Sequence, residues 1–351
     1  MSDLTPSAFQ HVINGLSKIK HAPHHAPELY SSAAKLLKES FGSDDLGVVL
    51  VNALKSESHE SVGTFLMQLE YSDLGVLALV KSPSLSLALQ AVIDSKNIKI
   101  LNAVLDIILK AETLSGDLSS FDINAIESLF EKVLRLIPSE DLTISERACK
   151  LTESIISNSR TNESLLRLMF SESIRYAETE KNLYLRFINV FARIMSKSDE
   201  LFESCNGCGA AEAVISLCRN RDDILVQIVA MELITEFAKT SSGLQYLFTF
   251  GVIDWLVAVT TSEEDASLLG SQALRQLGDV FATASSNSLM ADEVWDAINK
   301  DLIGKYLLTV RTYLDSRSEA DRLTGILCHF LPANDNYCLS SHIKCTQKCY
   351  V

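Results

Sequence analysis

The sequence predicts an all-α fold, an α-solenoid in which helical repeats stack into a right-handed superhelix. Three observations carry this. One helical phrase (apolar, two variable, apolar, two variable, apolar pair) occurs four times between Ala148 and Phe281. The 351 residues exceed what one compact core usually supports, so an elongated array or two domains is expected. Composition agrees, since 6 Pro, 14 Gly and 7% aromatic residues suit helices better than a sheet protein with many turns.

The clearest copy runs from Val226 to Ala238, followed by a second apolar stretch from Gly243 through Gly251 to Val257. Setting Ala230 against its counterparts Ala148, Phe187 and Ala273 gives steps of 39, 43 and 43 residues. That spacing belongs to stacked two- or three-helix repeats of the armadillo/HEAT kind. Such an array is a binding surface by construction and rarely encloses a catalytic pocket.

Taken in order, Pro6 opens a helix over residues 6–20, and the breaker His21-Ala-Pro23-His-His25-Ala-Pro27 ends it. A Ser/Leu helix then reaches about Phe41. Segments 44–55 and 59–70 form one helix pair, and 73–81 and 84–94 a second. Lys96–Ala111 places Ile100, Leu101, Val104, Leu105 and Ile108 on one helix face. The pattern breaks around Gly116, and Ile123–Ile137 resumes it until Pro138, which cannot donate the helical hydrogen bond. Residues 1–331 therefore read as a single solenoid, clearest over 140–331 and with atypical N-terminal repeats over 1–139. Residues 332–351 lack apolar periodicity and read as a Cys-rich, non-homologous, disordered tail, with Ser318–Leu331 beginning a repeat whose later helices are missing.

A net charge of −14 is spread along the chain without a clustered basic stripe, which argues against nucleic acid as a partner. The charge keeps a Leu-rich array soluble and can draw basic protein surfaces. The longest apolar runs, Leu74–Val80 and Leu46–Leu54, are too short to span a membrane, and the first thirty residues carry no uninterrupted apolar signal region. The expectation is a soluble protein of the cytoplasm, with the nucleus as a second compartment.

Repeat register turns these copies into a candidate site. The third helix of an armadillo repeat lines the binding surface, and in peptide-binding members it carries Trp and then Asn four positions later, on one helix face. Here those slots hold Lys150 and Ser154, Asn189 and Arg193, Glu232 and Glu236, then Arg275 and Asp279. The Trp/Asn ladder is absent, which argues against clamping an extended basic peptide. Arg193, Glu232, Glu236, Arg275 and Asp279 are the candidate protein-binding residues, with an ordinary solvated helix face as the plainer account.

Motifs that carry chemistry are few. Cys205-Asn-Gly-Cys208 has the spacing of a redox dithiol, but that chemistry uses a strand before the motif. Here a helix ending near Phe202 precedes it, Gly207 and Gly209 read as turn glycines, and Cys205 as a small apolar residue facing the core. His21, His24 and His25 lie in a Pro-flanked linker, and Cys338, His342, Cys345 and Cys349 have a spacing that matches no familiar zinc site. The carboxylate pairs Asp44/Asp45, Asp222/Asp223 and Glu263/Glu264 fall in inter-helix turns. Neither a Ser-His-Asp set nor a Gly-rich phosphate loop is present. No enzyme, cofactor or metal site is expected.

The stretch from Asp222 to Asp254 is more particular than a general armadillo repeat, above all Gly243-Leu-Gln-Tyr246-Leu-Phe followed by Gly251-Val-Ile-Asp254. With Leu183-Tyr-Leu-Arg-Phe187 before it and Phe281-Ala282 after it, it resembles the family of 26S proteasome non-ATPase regulatory subunit 5. The resemblance covers about Ser139 to Cys328 and fails after Pro332. It implies a non-catalytic, armadillo/HEAT-like chaperone for assembly of the regulatory-particle base. Such a chaperone holds the C-terminal domain of a proteasomal AAA ATPase subunit and delays docking on the core particle. Family members are longer, so it also implies a truncated or alternatively spliced form. Two alternatives stand beside it: a general armadillo scaffold for another protein, such as a nuclear-transport or cytoskeletal adaptor, and an oxidoreductase using Cys205 and Cys208.

Overall fold

The computed structural model describes residues 45–56, 59–115, 123–158, 162–220, 222–261 and 268–286, with Lys35, Glu39, Gly304, Leu308, Val310 and Arg311. Every regular element among them is an α-helix. In chain order these are α1 (Leu46–Ser56), α2 (His59–Glu70), α3 (Asp73–Val80), α4 (Leu85–Asp94), α5 (Ile98–Ser115), α6 (Ile123–Leu134), α7 (Leu142–Asn158) and α8 (Asn162–Ala177). There follow α9 (Lys181–Met195), α10 (Asp199–Gly207), α11 (Ala210–Arg219), α12 (Ile224–Glu232), α13 (Ile234–Phe237), α14 (Ser241–Thr249), α15 (Val252–Thr261) and α16 (Leu268–Ser286). The helices expected over 6–20 and up to Phe41, the break at Gly116, the repeat expected from Ser318 and the tail lie outside the described residues.

Short polar side chains start many of these helices by accepting amide hydrogens that the first turn leaves without partners. Asp45 does so for Gly47 at 3.0 Å and Ser72 for Gly75 at 3.2 Å. Asn97 caps α5 through Lys99 at 3.1 Å, and Asp141 caps α7 through Thr143 at 2.9 Å. Asp223 serves α12 through Leu225 at 3.0 Å, and Thr240 serves α14 through Gly243 at 3.2 Å. The acidic residues of the inter-helix turns at 45 and 223 are thus helix caps.

Two compact units divide the chain at Val190 and Phe191, within α9. In the first, polar links join residues about one repeat apart. Lys110 donates to the Glu70 carbonyl at 2.5 Å, Ser86 meets Ser128 at 2.6 Å, and Arg186 donates to Ser145 at 3.0 Å, across 40, 42 and 41 positions respectively. In the second, Ser242 donates to Asp199 at 2.7 Å across 43 positions, and Thr235 to Gln276 at 2.7 Å across 41. A helix that repeatedly touches its counterpart one repeat away is the defining contact of an α-solenoid. The chain is all-α and of the armadillo/HEAT-like α-solenoid class.

The core follows the same step. Ala148, Phe187, Ala230 and Ala273, the residues that set the register, are all fully buried. So are Ile100, Val104, Leu105 and Ile108 on α5, with Leu101 nearly so. In the second unit Phe202, Phe237 and Tyr246 meet edge to face, with ring centroids 5.3 to 6.0 Å apart.

Three boundaries differ from the sequence reading. The helix expected over 123–137 ends at Leu134, because Leu136 and Ile137 donate to carbonyls three residues back at 2.9 and 3.2 Å, and tight turns carry the chain into Pro138. The phrase Val226–Ala238 is two helices, since Leu233 donates to Ala230 and Glu236 to Leu233, both at 3.1 Å. No helix ends near Phe202: α9 stops at Met195, and Ser198 caps α10 through Leu201 at 3.2 Å, leaving Phe202 in the first turn. Among the described residues no single helix is long and apolar enough to cross a membrane, and the α14–α15 pair, apolar enough when joined, bends by 62°.

Candidate protein-binding surface

The first slot of each register pair is exposed: Lys150, Asn189, Glu232 and Arg275. Lys150 pairs with Glu146 one turn earlier at 2.7 Å. The second slots are less open, with Arg193, Glu236 and Asp279 half-buried and Ser154 buried at 3% exposure. Ser154 is therefore a packed residue and does not belong to a solvated face. Positions four apart on a helix differ by about 40° in azimuth, enough to turn one toward the neighbouring helix. Glu236 stands on α13, beyond the break at Leu233, and not on the α12 helix that holds Glu232.

In the second unit four of the candidates gather on adjacent helices. Gln272 of α16 reaches Glu232 of α12 at 3.4 Å, so these two helices lie side by side with their polar faces level. Arg275 and Asp279 pair along α16 at 3.8 Å, and Lys239 holds Glu236 at 2.7 Å. Burial pushes the Asp279 carboxyl above its ordinary range, only partly opposed by Arg275. Arg193 lies near the C-terminal end of α9, in the same unit. Beside Glu232, α12 also exposes Leu225 at 71% and Val229 at 43%. The three recur at i, i+4 and i+7, so one helix stripe presents two apolar side chains and one carboxylate. Periodicity alone missed this apolar part, because it assigns the apolar positions of a helix to the core.

The Cys205–Cys208 motif occupies the last turn of α10 and the bend into α11. Cys205 is fully buried and faces the core, as expected. Cys208 directs its thiol to the Cys205 carbonyl at 3.0 Å. Gly209 turns the chain with φ 91°, as Gly251 does with φ 61° one repeat later, while Gly207 closes α10 and stands in no turn. Burial, reinforced by Cys208, holds the Cys205 thiol well above its ordinary range, the reverse of an activated dithiol. Among the described residues no three His, Cys, Asp or Glu side chains converge as metal ligands. The histidine segment at 21–25 and the Cys338, His342, Cys345, Cys349 set lie outside those residues.

Fold and surface together define a helical-repeat protein that presents a mixed apolar and charged helix face in its second unit. The family model of the proteasome non-ATPase 26S subunit matches residues 20–271, more than two-thirds of the chain. The chain belongs to this family of proteasome non-ATPase 26S subunits. The match begins well upstream of Ser139, where the sequence resemblance starts, covers most of the atypical N-terminal repeats, and ends at residue 271, short of Cys328. No curated protein matches the chain. Among solved structures it is similar to Kap121p, at 14% identity over 92% of this chain and 37% of that one, with a TM-score of 0.42. It is also similar to a designed armadillo repeat protein in complex with peptide (KR)4, at 13% identity over 80% of this chain and 96% of that one, with a TM-score of 0.38.

Proposed function

We propose that this chain is a non-catalytic assembly chaperone of the 26S proteasome regulatory-particle base, of the subunit 5 kind within its family. Its partner is the C-terminal domain of a proteasomal AAA ATPase subunit, and its bulk delays docking of that subunit on the core particle. It acts in the cytoplasm, and in the nucleus as a second compartment. Neither nucleic acid nor membrane is a partner.

The observation that carries this reading is the family membership over residues 20–271. Repeat stacking suits the task, because rigid helices offer a broad surface to a folded domain without closing around a substrate. The face that meets the partner is the one bearing Leu225, Val229, Glu232 and Arg275, with Glu236 of α13, Asp279 of α16 and Arg193 of α9 as further candidates. Apolar anchors beside charges are the usual composition of a specific protein interface.

One observation favours the second reading, a general armadillo scaffold for some other protein. The charges of this face are partly spent on one another, Arg275 on Asp279 and Glu236 on Lys239, as on an ordinary solvated helix. Titrating the full chain against isolated C-terminal domains of each proteasomal ATPase separates the two. Saturable binding to one domain, weakened about tenfold by a Leu225→Asp, Arg275→Glu double variant, is expected. Absence of binding to every ATPase domain would leave the scaffold reading standing.

A further inference from the structure

Two helices of the second unit carry the same outward pattern one repeat apart. On α12 it is Leu225, Val229 and Glu232, and on α16 it is Leu268, Gln272 and Arg275. Each set recurs at i, i+4 and i+7, and each α12 residue precedes its α16 counterpart by 43 positions, the step that relates Ala230 to Ala273. Leu268 is 57% exposed, so both stripes open on an uncovered leucine. At the third position the charge changes sign, a carboxylate on α12 and a guanidinium on α16. Both charges are loosely held. Glu232 accepts from Gln272 at 3.4 Å and Arg275 stands 3.8 Å from Asp279, against about 2.7–2.9 Å for a strong charge-assisted bond.

The two stripes run side by side in one direction, since Glu232 meets Gln272 and Thr235 meets Gln276, across 40 and 41 positions. Against a step of 43, equivalent residues are staggered by roughly 4 Å along the axes, which side chains of this length span. Such a face is complementary to itself. A two-fold axis between α12 and α16, parallel to both, lays α12 of one copy over α16 of the other. Leu225 then meets Leu268 of the second copy, Val229 meets its Gln272, and Glu232 meets its Arg275. Each contact occurs twice, as an isologous interface requires. Leucines of both copies gather at one end and two Glu–Arg pairs at the other. A wholly apolar occupant would bury both charges without partners, and one of a single sign would satisfy one charge and oppose the other. The occupant must carry apolar groups and both signs at the spacing of one repeat, and this chain does.

We propose that the α12 and α16 stripes form a homodimer face, occupied by a second copy of this chain. Three side chains from each helix fall short of the roughly 20–30 residues a side of a stable complex, so the dimer is weak, with a Kd of about 50 µM. It covers Leu225, Val229, Glu232 and Arg275, so the dimer and the proposed ATPase-domain complex exclude one another.

Sedimentation equilibrium of the full chain tests this, in about 0.15 M salt to screen the net charge of −14. Between about 5 and 300 µM the mass should rise from one chain toward two. Glu232→Arg and Arg275→Glu should each weaken self-association about tenfold, because each sets like charges against one another twice. An equimolar mixture of these two variants should regain it, since each supplies the charge that the other lacks. Leu225→Asp should abolish it. These positions are exposed, far-UV circular dichroism checks each variant, and recovery in the mixture shows that both variants are folded. A one-chain mass throughout, a dimer that persists in Leu225→Asp, single charge variants that associate like the parent chain, or a mixture no better than either variant alone would each overturn the assignment. The ATPase domain takes no part, so the outcome is independent of the chaperone reading.

Discussion

Arg147 of α7 forks onto Asp106 of α5, its Nη2 donating to Oδ2 at 2.8 Å and its Nε to Oδ1, across 41 positions of sequence. That hydrogen bond, followed by burial acting in the opposite sense, leaves the guanidinium above its ordinary range. Both side chains are about three-quarters covered, at 25% and 32% exposure, so the pair is less screened than a surface ion pair. It ties α5 to α7 within the first unit, between helices whose buried positions recur at the same step, as Ile107 and Ala148 do. A double-mutant cycle of Arg147→Ala and Asp106→Ala in urea unfolding should give a coupling of about 1 kcal/mol. Additive single effects would show that the fork contributes no net stability.

Gly243 and Gly251, which bracket the most particular run of the resemblance, serve different ends. A Cβ on Gly243 would lie 2.2 Å from the Phe237 carbonyl oxygen and 2.8 Å from Thr240 Oγ1, so backbone would have to move. On Gly251 it would meet nothing within 4 Å, and only the φ of 61° resists a side chain. Gly243→Ala should therefore cost roughly 3 kcal/mol or more, against about 1 kcal/mol for Gly251→Ala. Equal midpoint shifts in denaturant would contradict this.

Two carboxylates should titrate stability in opposite senses. Burial raises Asp279 above 3.8, so the folded chain holds its proton to a higher pH than the unfolded chain does. The stability linked to that proton is complete below 3.8 and is lost as pH rises through the folded value. Asp279→Asn should accordingly raise the melting temperature at pH 7 and lose its advantage toward pH 4. Burial also pushes Asp45 upward, but hydrogen bonds from Ser82, Ser84, Val48 and Gly47 outweigh it and hold the carboxyl below 3.8. Its contribution is present above 3.8 and disappears as pH falls through the lowered folded value. Asp45→Ala should thus destabilise by about 1 kcal/mol at neutral pH, with the deficit shrinking in acid.

Thiol chemistry offers a separate check. Burial pushes the Cys205 and Cys218 thiols upward, whereas Cys208 is half-exposed. Iodoacetamide followed by peptide mapping should label Cys208 ahead of the buried Cys149, Cys205 and Cys218. Rapid labelling of Cys205 at neutral pH would reopen the oxidoreductase reading.

How legible the candidate face was depended on what kind of contact formed it. The exposure of Lys150, Asn189, Glu232 and Arg275 followed from helical period alone. The burial of Ser154 did not, nor did the placing of Glu236 on a separate helix, because neighbouring helices and a break at Leu233 decide them. Upstream of residue 140 some of the links between residues about one repeat apart are polar, as in Ser86 with Ser128 and Arg147 with Asp106. Such partners leave no apolar period to count. The hydrogen bond from Arg219 to the Phe250 carbonyl was wholly illegible, since the two meet across 31 positions that no pattern relates.

By itself the sequence determined that this chain folds as tandem helices with a step near forty residues. Apolar period and the register of Ala148, Phe187, Ala230 and Ala273 are local properties, and burial of all four follows from them. Only the tertiary structure decided which polar residues are spent between repeats and which are left facing outward. That choice depends on how far each helix is turned toward its neighbour, so Leu225 and Val229 stand exposed beside Glu232 while Ser154, from an equivalent face, is packed away.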